Sequence, residues 1–201
     1  MKKRLMGLAV VAAGLCMLTG CAGVHTDVLA SQTASDFQLG PRYAIVRSPV
    51  QGANADQARY EDLVRGELNR YGFVDTGAGN AQYVLSIAYD TRPASVGVDA
   101  GDCLDGVCQS GGDAGFVWFG RAWRHTLTLR FFDPASGDEV YKVSAASRDS
   151  EAGMQHAAPY LVKSALAQLP FARYQHWRVK LHPAAIPGGA PRLISVEPIR
   201  Q

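Results

Sequence analysis

Trp123-Arg124-His125-Thr126-Leu127-Thr128-Leu129-Arg130-Phe131-Phe132, followed by Asp133-Pro134-Ala135-Ser136-Gly137, decides the fold. Trp123, His125, Leu127, Leu129 and Phe131 fall on one face of an extended chain, and Arg124, Thr126, Thr128 and Arg130 on the other. A period of two with one apolar side belongs to a strand covered on one face only. The Asp-Pro-Ala-Ser-Gly run has turn chemistry, and residues 139–145 return as the hairpin partner of a strand over 122–132.

Upstream, residues 82–90 alternate in the same way, with Tyr83, Leu85, Ile87 and Tyr89 on one side. Before them, residues 54–71 repeat at helical spacing: Tyr60, Leu63, Val64, Leu68 and Tyr71 form one stripe, while Arg59, Asp62, Arg65 and Asn69 face out. Asn54 supplies a cap and Gly72 a stop. Residues 42–48 read as a strand ended by Pro49. Downstream, residues 154–169 form a second helix carrying Leu161, Val162, Ala165, Leu166 and Leu169 inward. Pro159 belongs to a first turn, so the regular part is expected from about Ala158. Residues 175–181 add an edge strand, and residues 183–201 form a Pro/Gly-rich, extended tail. A right-handed crossover sets the first two strands parallel, as neighbours or with one strand between them. The expected fold is α+β: a two-layer sandwich, a mixed β-sheet of four to five strands with two helices packed on one face.

The first twenty residues have a different character. Lys2, Lys3 and Arg4 precede an apolar run over 5–18, too short for the roughly 18 residues that span a bilayer but suited to an export signal. Leu18-Thr19-Gly20-Cys21 follows, and it resembles the bacterial lipobox, in which the cysteine becomes a lipid-modified N-terminus. The resemblance implies cleavage before Cys21, three acyl chains on it, and a protein held on a membrane facing the periplasm. Ala22 stands where an Asp would mark inner-membrane retention, which favours the outer membrane. Residues 21–40, small and polar, read as the lipidated N-terminus and a tether, and residues 41–182 as the domain. Removing residues 1–20 leaves 17 basic against 18 acidic residues, a mature charge of −1. Without a basic excess, nucleic acid is not an expected partner.

The Tyr43-Ala44-Ile45 strand, the helix end Leu68-Asn69-Arg70-Tyr71-Gly72-Phe73 and the strand Ala81-Gln82-Tyr83-Val84-Leu85 resemble a bacterial lipoprotein family, domain of unknown function 4136. The strand over 127–133 and the helix closing at Leu169-Pro170-Phe171 continue the likeness. It implies an envelope lipoprotein with a small α/β domain and carries no catalytic residues with it.

Residues 93–120 are an insertion, too long for a plain hairpin loop. Cys103 and Cys108 sit within it, and a disulfide between them would add about 2 kcal/mol by the chain-entropy model. A thiol metal site is the alternative, for which no second Cys or His pair lies nearby. Phe116, Trp118 and Phe119 are the candidate partner contact, either as an exposed adhesive tip or folded back over the open sheet face. Asp99, Asp102 and Asp105 lack the alternate spacing and final glutamate of a calcium loop. The five histidines outside the leader form no ligand pair, and no G-x-S-x-G elbow or phosphate loop is present. The expectation is therefore a non-catalytic binding or envelope-assembly module with no metal and no cofactor. Its partners are the membrane, through the lipid anchor, and an envelope protein. A lipid or small-ligand carrier and a hydrolase with an unmotifed site are the alternatives.

Overall fold

The computed structural model describes residues 23–32, 41–47, 54–94, 122–169, 175–184 and 189–199. In chain order these form β1 (Val24–Gln32), β2 (Arg42–Val46), helix α1 (Gln57–Arg70), β3 (Val74–Asp75), a 3-10 turn, β4 (Tyr83–Pro93), β5 (Trp123–Phe132), β6 (Glu139–Asp149), helix α2 (Met154–Ala165), β7 (His176–His182) and β8 (Arg192–Pro198). The strands make one mixed sheet in the order β3-β2-β4-β5-β6-β1-β7-β8. The β5–β6 hairpin expected from its alternation lies at the centre, antiparallel from Trp123 opposite Asp149 to Phe131 opposite Tyr141. Glycine at 137, with φ +79°, lets the chain turn between its strands. The crossover through α1 makes β2 and β4 parallel neighbours, with Ile45 opposite Leu85.

The α+β class holds, but the sheet has eight strands where four to five were expected. The largest correction concerns residues 22–40, read as a tether. Their front half is β1, inserted between β6 and β7, with Val28 opposite Ala145 on one side and Trp177 on the other. The second correction concerns the C-terminal end. β7 is not an edge strand, because β8 pairs outside it; residues 192–198 are therefore sheet rather than loose tail. β3 is a two-residue addition at the opposite edge.

One sheet face carries the core. Val28, Leu85, Ile87, Leu129, Phe131, Val143 and Val179 are all fully buried on it. α2 lies over β1, β5 and β6, and α1 sits beside α2 towards β3. Tyr60, Val64 and Leu68 of α1 are buried, as their spacing required, whereas Tyr71 at the helix end stays 38% exposed. α2 begins at Met154, four residues before Ala158, so Pro159 sits inside it. The proline costs the exposed Gln155 carbonyl its helical partner, which water can replace.

The helices also bury charge that the helical pattern did not flag. Glu61, on the sheet side of α1, is 2% exposed. The Arg47 guanidinium, just past β2, donates to both its carboxylate oxygens at 2.6 and 2.7 Å, and Gln57 Nε2 donates at 3.0 Å. Glu67 accepts from Lys163 of α2 at 2.7 Å, tying the two helices together. The hydrogen bond from Arg47 holds the Glu61 carboxyl below its ordinary value of 4.5, against the opposing effect of burial. Its contribution is complete above that ordinary value and is lost as the pH falls through the lower, folded value. Thermal melts of the wild type should therefore weaken on acidification below about pH 5. Glu61→Gln should melt lower at neutral pH and lose less on acidification.

Candidate functional site

β1 starts beside the end of β6, because Thr26 lies opposite Ser147, and β5 starts at that same end, with Trp123 opposite Asp149. Ala94 N–H donates to the Ala122 carbonyl at 2.8 Å, closing the root of the insertion there too. The sheet thus brings two features that are distant in sequence to one end: the segment that follows Cys21, and both ends of the insertion. β5, β6 and β1 are adjacent, so about 10 Å of sheet width separates them. Cys21, Cys103, Cys108, Phe116, Trp118 and Phe119 themselves fall outside the described residues.

The same sheet end holds an open depression of about 800 Å³. Gly23, His25, Arg124 and Arg148 line it from the strands, and His156 and Tyr160 from α2. Both sheet faces contribute, so it wraps around the strand ends and is not an enclosed chamber. His156 Nε2 stands 3.4 Å from Asp149, and Nδ1 3.8 Å from Glu151. Ser147 is also in the lining but is 6% exposed, while the His156 side chain is 51% exposed. A nucleophile site needs the reverse, an accessible hydroxyl hydrogen-bonded to an oriented base. No hydrogen bond joins Ser147 to His156 among the described residues.

His125 is fully buried on the core face of β5. Its Nε2 lies 2.8 Å from the Glu151 carbonyl, which can only accept, so Nε2 carries the proton. Its Nδ1 lies 2.9 Å from the Thr91 hydroxyl. With both ring nitrogens engaged, His125 pins β4 and the β6–α2 connection to β5 and has no free position for a ligand. Among the described residues, no group of three or more His, Cys, Asp or Glu gathers to hold a metal, and no helix is long and apolar enough to cross a membrane. A second depression, of about 210 Å³, lies between α1, α2 and residues 189–191.

On the outer sheet face the register reveals an arrangement invisible in sequence. Arg92 of β4 lies opposite Arg124 of β5, and Arg124 opposite Arg148 of β6. One step further along the strands, Asp27 of β1 takes Arg178 of β7, with Nε at 2.7 Å.

The chain matches the family described as Domain of unknown function (DUF4136) over residues 24–171. It belongs to that family. The DUF4136 match opens on the first residue of β1, so this strand is part of the family domain; β7 and β8 lie beyond the match. No curated protein matches the chain. Among solved structures, a PDZ domain protein from Parabacteroides distasonis superposes with a TM-score of 0.51 at 10% identity, over 85% of this chain and 42% of that one. This chain therefore spans less than half the length of that protein, and the likeness is one of fold alone. A PelC dodecamer from Paraburkholderia phytofirmans gives a TM-score of 0.42 at 17% identity, over 71% of this chain and 95% of that one.

Proposed function

We propose that this DUF4136 protein is an envelope lipoprotein, anchored through lipid on Cys21 to the periplasmic side of the outer membrane, that binds another envelope component without catalysis. One observation carries the reading. β1 begins three residues after Cys21, and the insertion with its aromatic cluster is rooted at that same sheet end. A lipid on Cys21 would hold this end against the bilayer. The insertion would then face the headgroups or a partner standing on the same membrane. The carrier alternative loses support because Leu85 and Leu127 are packed in the core, and neither depression is lined by Tyr83, Leu85, Trp123 or Leu127.

The test is crosslinking in intact cells followed by affinity recovery of the lipidated protein. Wild type is compared with a variant in which a short Gly/Ser linker replaces residues 96–120. A partner recovered with wild type and lost with the variant supports a binding module that acts through the insertion. The same partner with both forms moves the contact to the helices or to β8. No partner with either form, while crosslinking controls succeed, overturns the binding reading.

A further inference from the structure

The like-charged row on the outer sheet face is costly, and among the described residues no acidic group is paired with its two central members. Cross-strand neighbours have Cβ atoms about 5 Å apart, and like charges set directly opposite destabilise a sheet. Several other arginines of the domain are paired: Arg47 with Glu61, Arg65 with Asp62 and Asp75, Arg130 with Glu139, and Arg178 with Asp27. Arg124 and Arg148 are exposed, and no ion pair engages either among the described residues. Among the described residues Arg92 has only Asp90, at 3.9 Å. The row also continues across the sheet. The Thr26–Ser147 pairing sets His25 next to Arg148, and His25 lies opposite Lys180. Lys180 in turn lies along Gly23, so close that a Cβ there would stand 2.8 Å from its Cε.

The geometry points to Arg124 and Arg148, flanked by Arg92 and Lys180, as a contact for the phosphates of a phospholipid surface. The placement rests on the lipid anchor proposed above; the cationic row does not. Three extended residues reach at most about 10 Å, so a lipid on Cys21 would hold the start of β1 close to the headgroups. That is comparable to the screening length of about 8 Å at physiological salt, so unpaired guanidinium groups there feel the phosphates. The mature chain is net −1, so bulk charge does not supply the attraction. The local row does, and it would turn the outer face at this end towards the bilayer.

The test uses the mature chain with Cys21→Ser, which keeps every described element and lacks the lipid. Flotation with phosphatidylcholine vesicles, alone or containing phosphatidylglycerol, should show binding only to the anionic vesicles, weakening as salt rises. R124Q/R148Q should reduce the partition coefficient by roughly tenfold or more. R124K/R148K should retain binding. R130Q, which alters a paired arginine further down the same face, should match wild type. Because R124Q/R148Q removes a like-charge opposition, its melting temperature should equal or exceed that of wild type. Equal binding by R124Q/R148Q and wild type overturns the proposal, as does equal loss with R130Q. Displacement by inorganic phosphate at matched ionic strength would mark a free-anion site and also overturn it. A failure to find lipid on Cys21 in cells would leave this vesicle result standing, so the two readings fail separately.

Discussion

Val28→Asp should abolish cooperative folding. Val28 is fully buried at the middle of β1, between Ala145 of β6 and Trp177 of β7. Among the described residues, a carboxylate there finds no cation within its layer, since the core face around it carries Val143, Ala145, Val179 and the apolar side of α2. Burying an unpaired charge costs several kcal/mol even after relaxation, comparable with the roughly 5–15 kcal/mol that separates folded from unfolded domains. The damage also spreads, because β1 alone joins the five strands β3-β2-β4-β5-β6 to the pair β7-β8. Urea titration followed by tryptophan fluorescence reads this directly, as Trp177 is fully buried beside β1. Leu29→Asp one residue away is the contrast. Leu29 is 55% exposed on the outer face, and the substitution should shift stability by less than about 1 kcal/mol. Were residues 24–32 a tether, both variants would behave like wild type.

Cys21→Ser, exported behind an ordinary cleavable secretory signal in place of residues 1–20, should move the protein from the membrane fraction to the soluble periplasm. A single acyl chain gives a membrane partition constant of only about 10⁴ M⁻¹, but three chains on one residue multiply such terms until release is negligible. Without them, the outer sheet face is the remaining source of membrane attraction proposed above. Residual binding of the variant should then be sensitive to salt, whereas wild type resists a salt wash and needs detergent. Fractionation of cells expressing each form, with and without high salt, measures both effects. Retention of Cys21→Ser through a salt wash would contradict the lipid anchor.

The contrast between strands explains which of them are legible in the sequence. β5 and β6 were legible because every inward position of β5 from Trp123 to Phe131 is apolar except His125, and every outward one is Arg or Thr. β1 hides because its inward set is Val24, Thr26, Val28 and Ala30, two of them weakly apolar or polar, while its most apolar residue, Leu29, points out. Two strands bury β1 from both edges, and this context overrides a pattern that reads as polar linker. β8 hides for another reason. A register shift between Lys180 and Leu181 of β7 breaks its alternation, and Leu193 and Ile194 are adjacent and both exposed.

The site was legible in proportion to how local its signal is. The Leu18-to-Cys21 motif is contiguous, so it could be read directly. The row formed by Arg92, Arg124 and Arg148 is not contiguous: it exists only through the pairing of β4, β5 and β6. The same holds for Glu61, a surface residue by composition that becomes buried because Arg47 lies 2.6 Å away across the β2–α1 crossover. His125 shows the converse. It stands in apolar company on its strand, and it is fully buried with both ring nitrogens engaged.

The measurement closest to the central claim is the mass of the N-terminal peptide of the mature protein, isolated from the membrane fraction. The claim predicts a peptide that begins at Cys21 and carries a diacylglyceryl group on sulfur and a third acyl chain on nitrogen. A peptide that begins elsewhere, or one that begins at an unmodified Cys21, would contradict it.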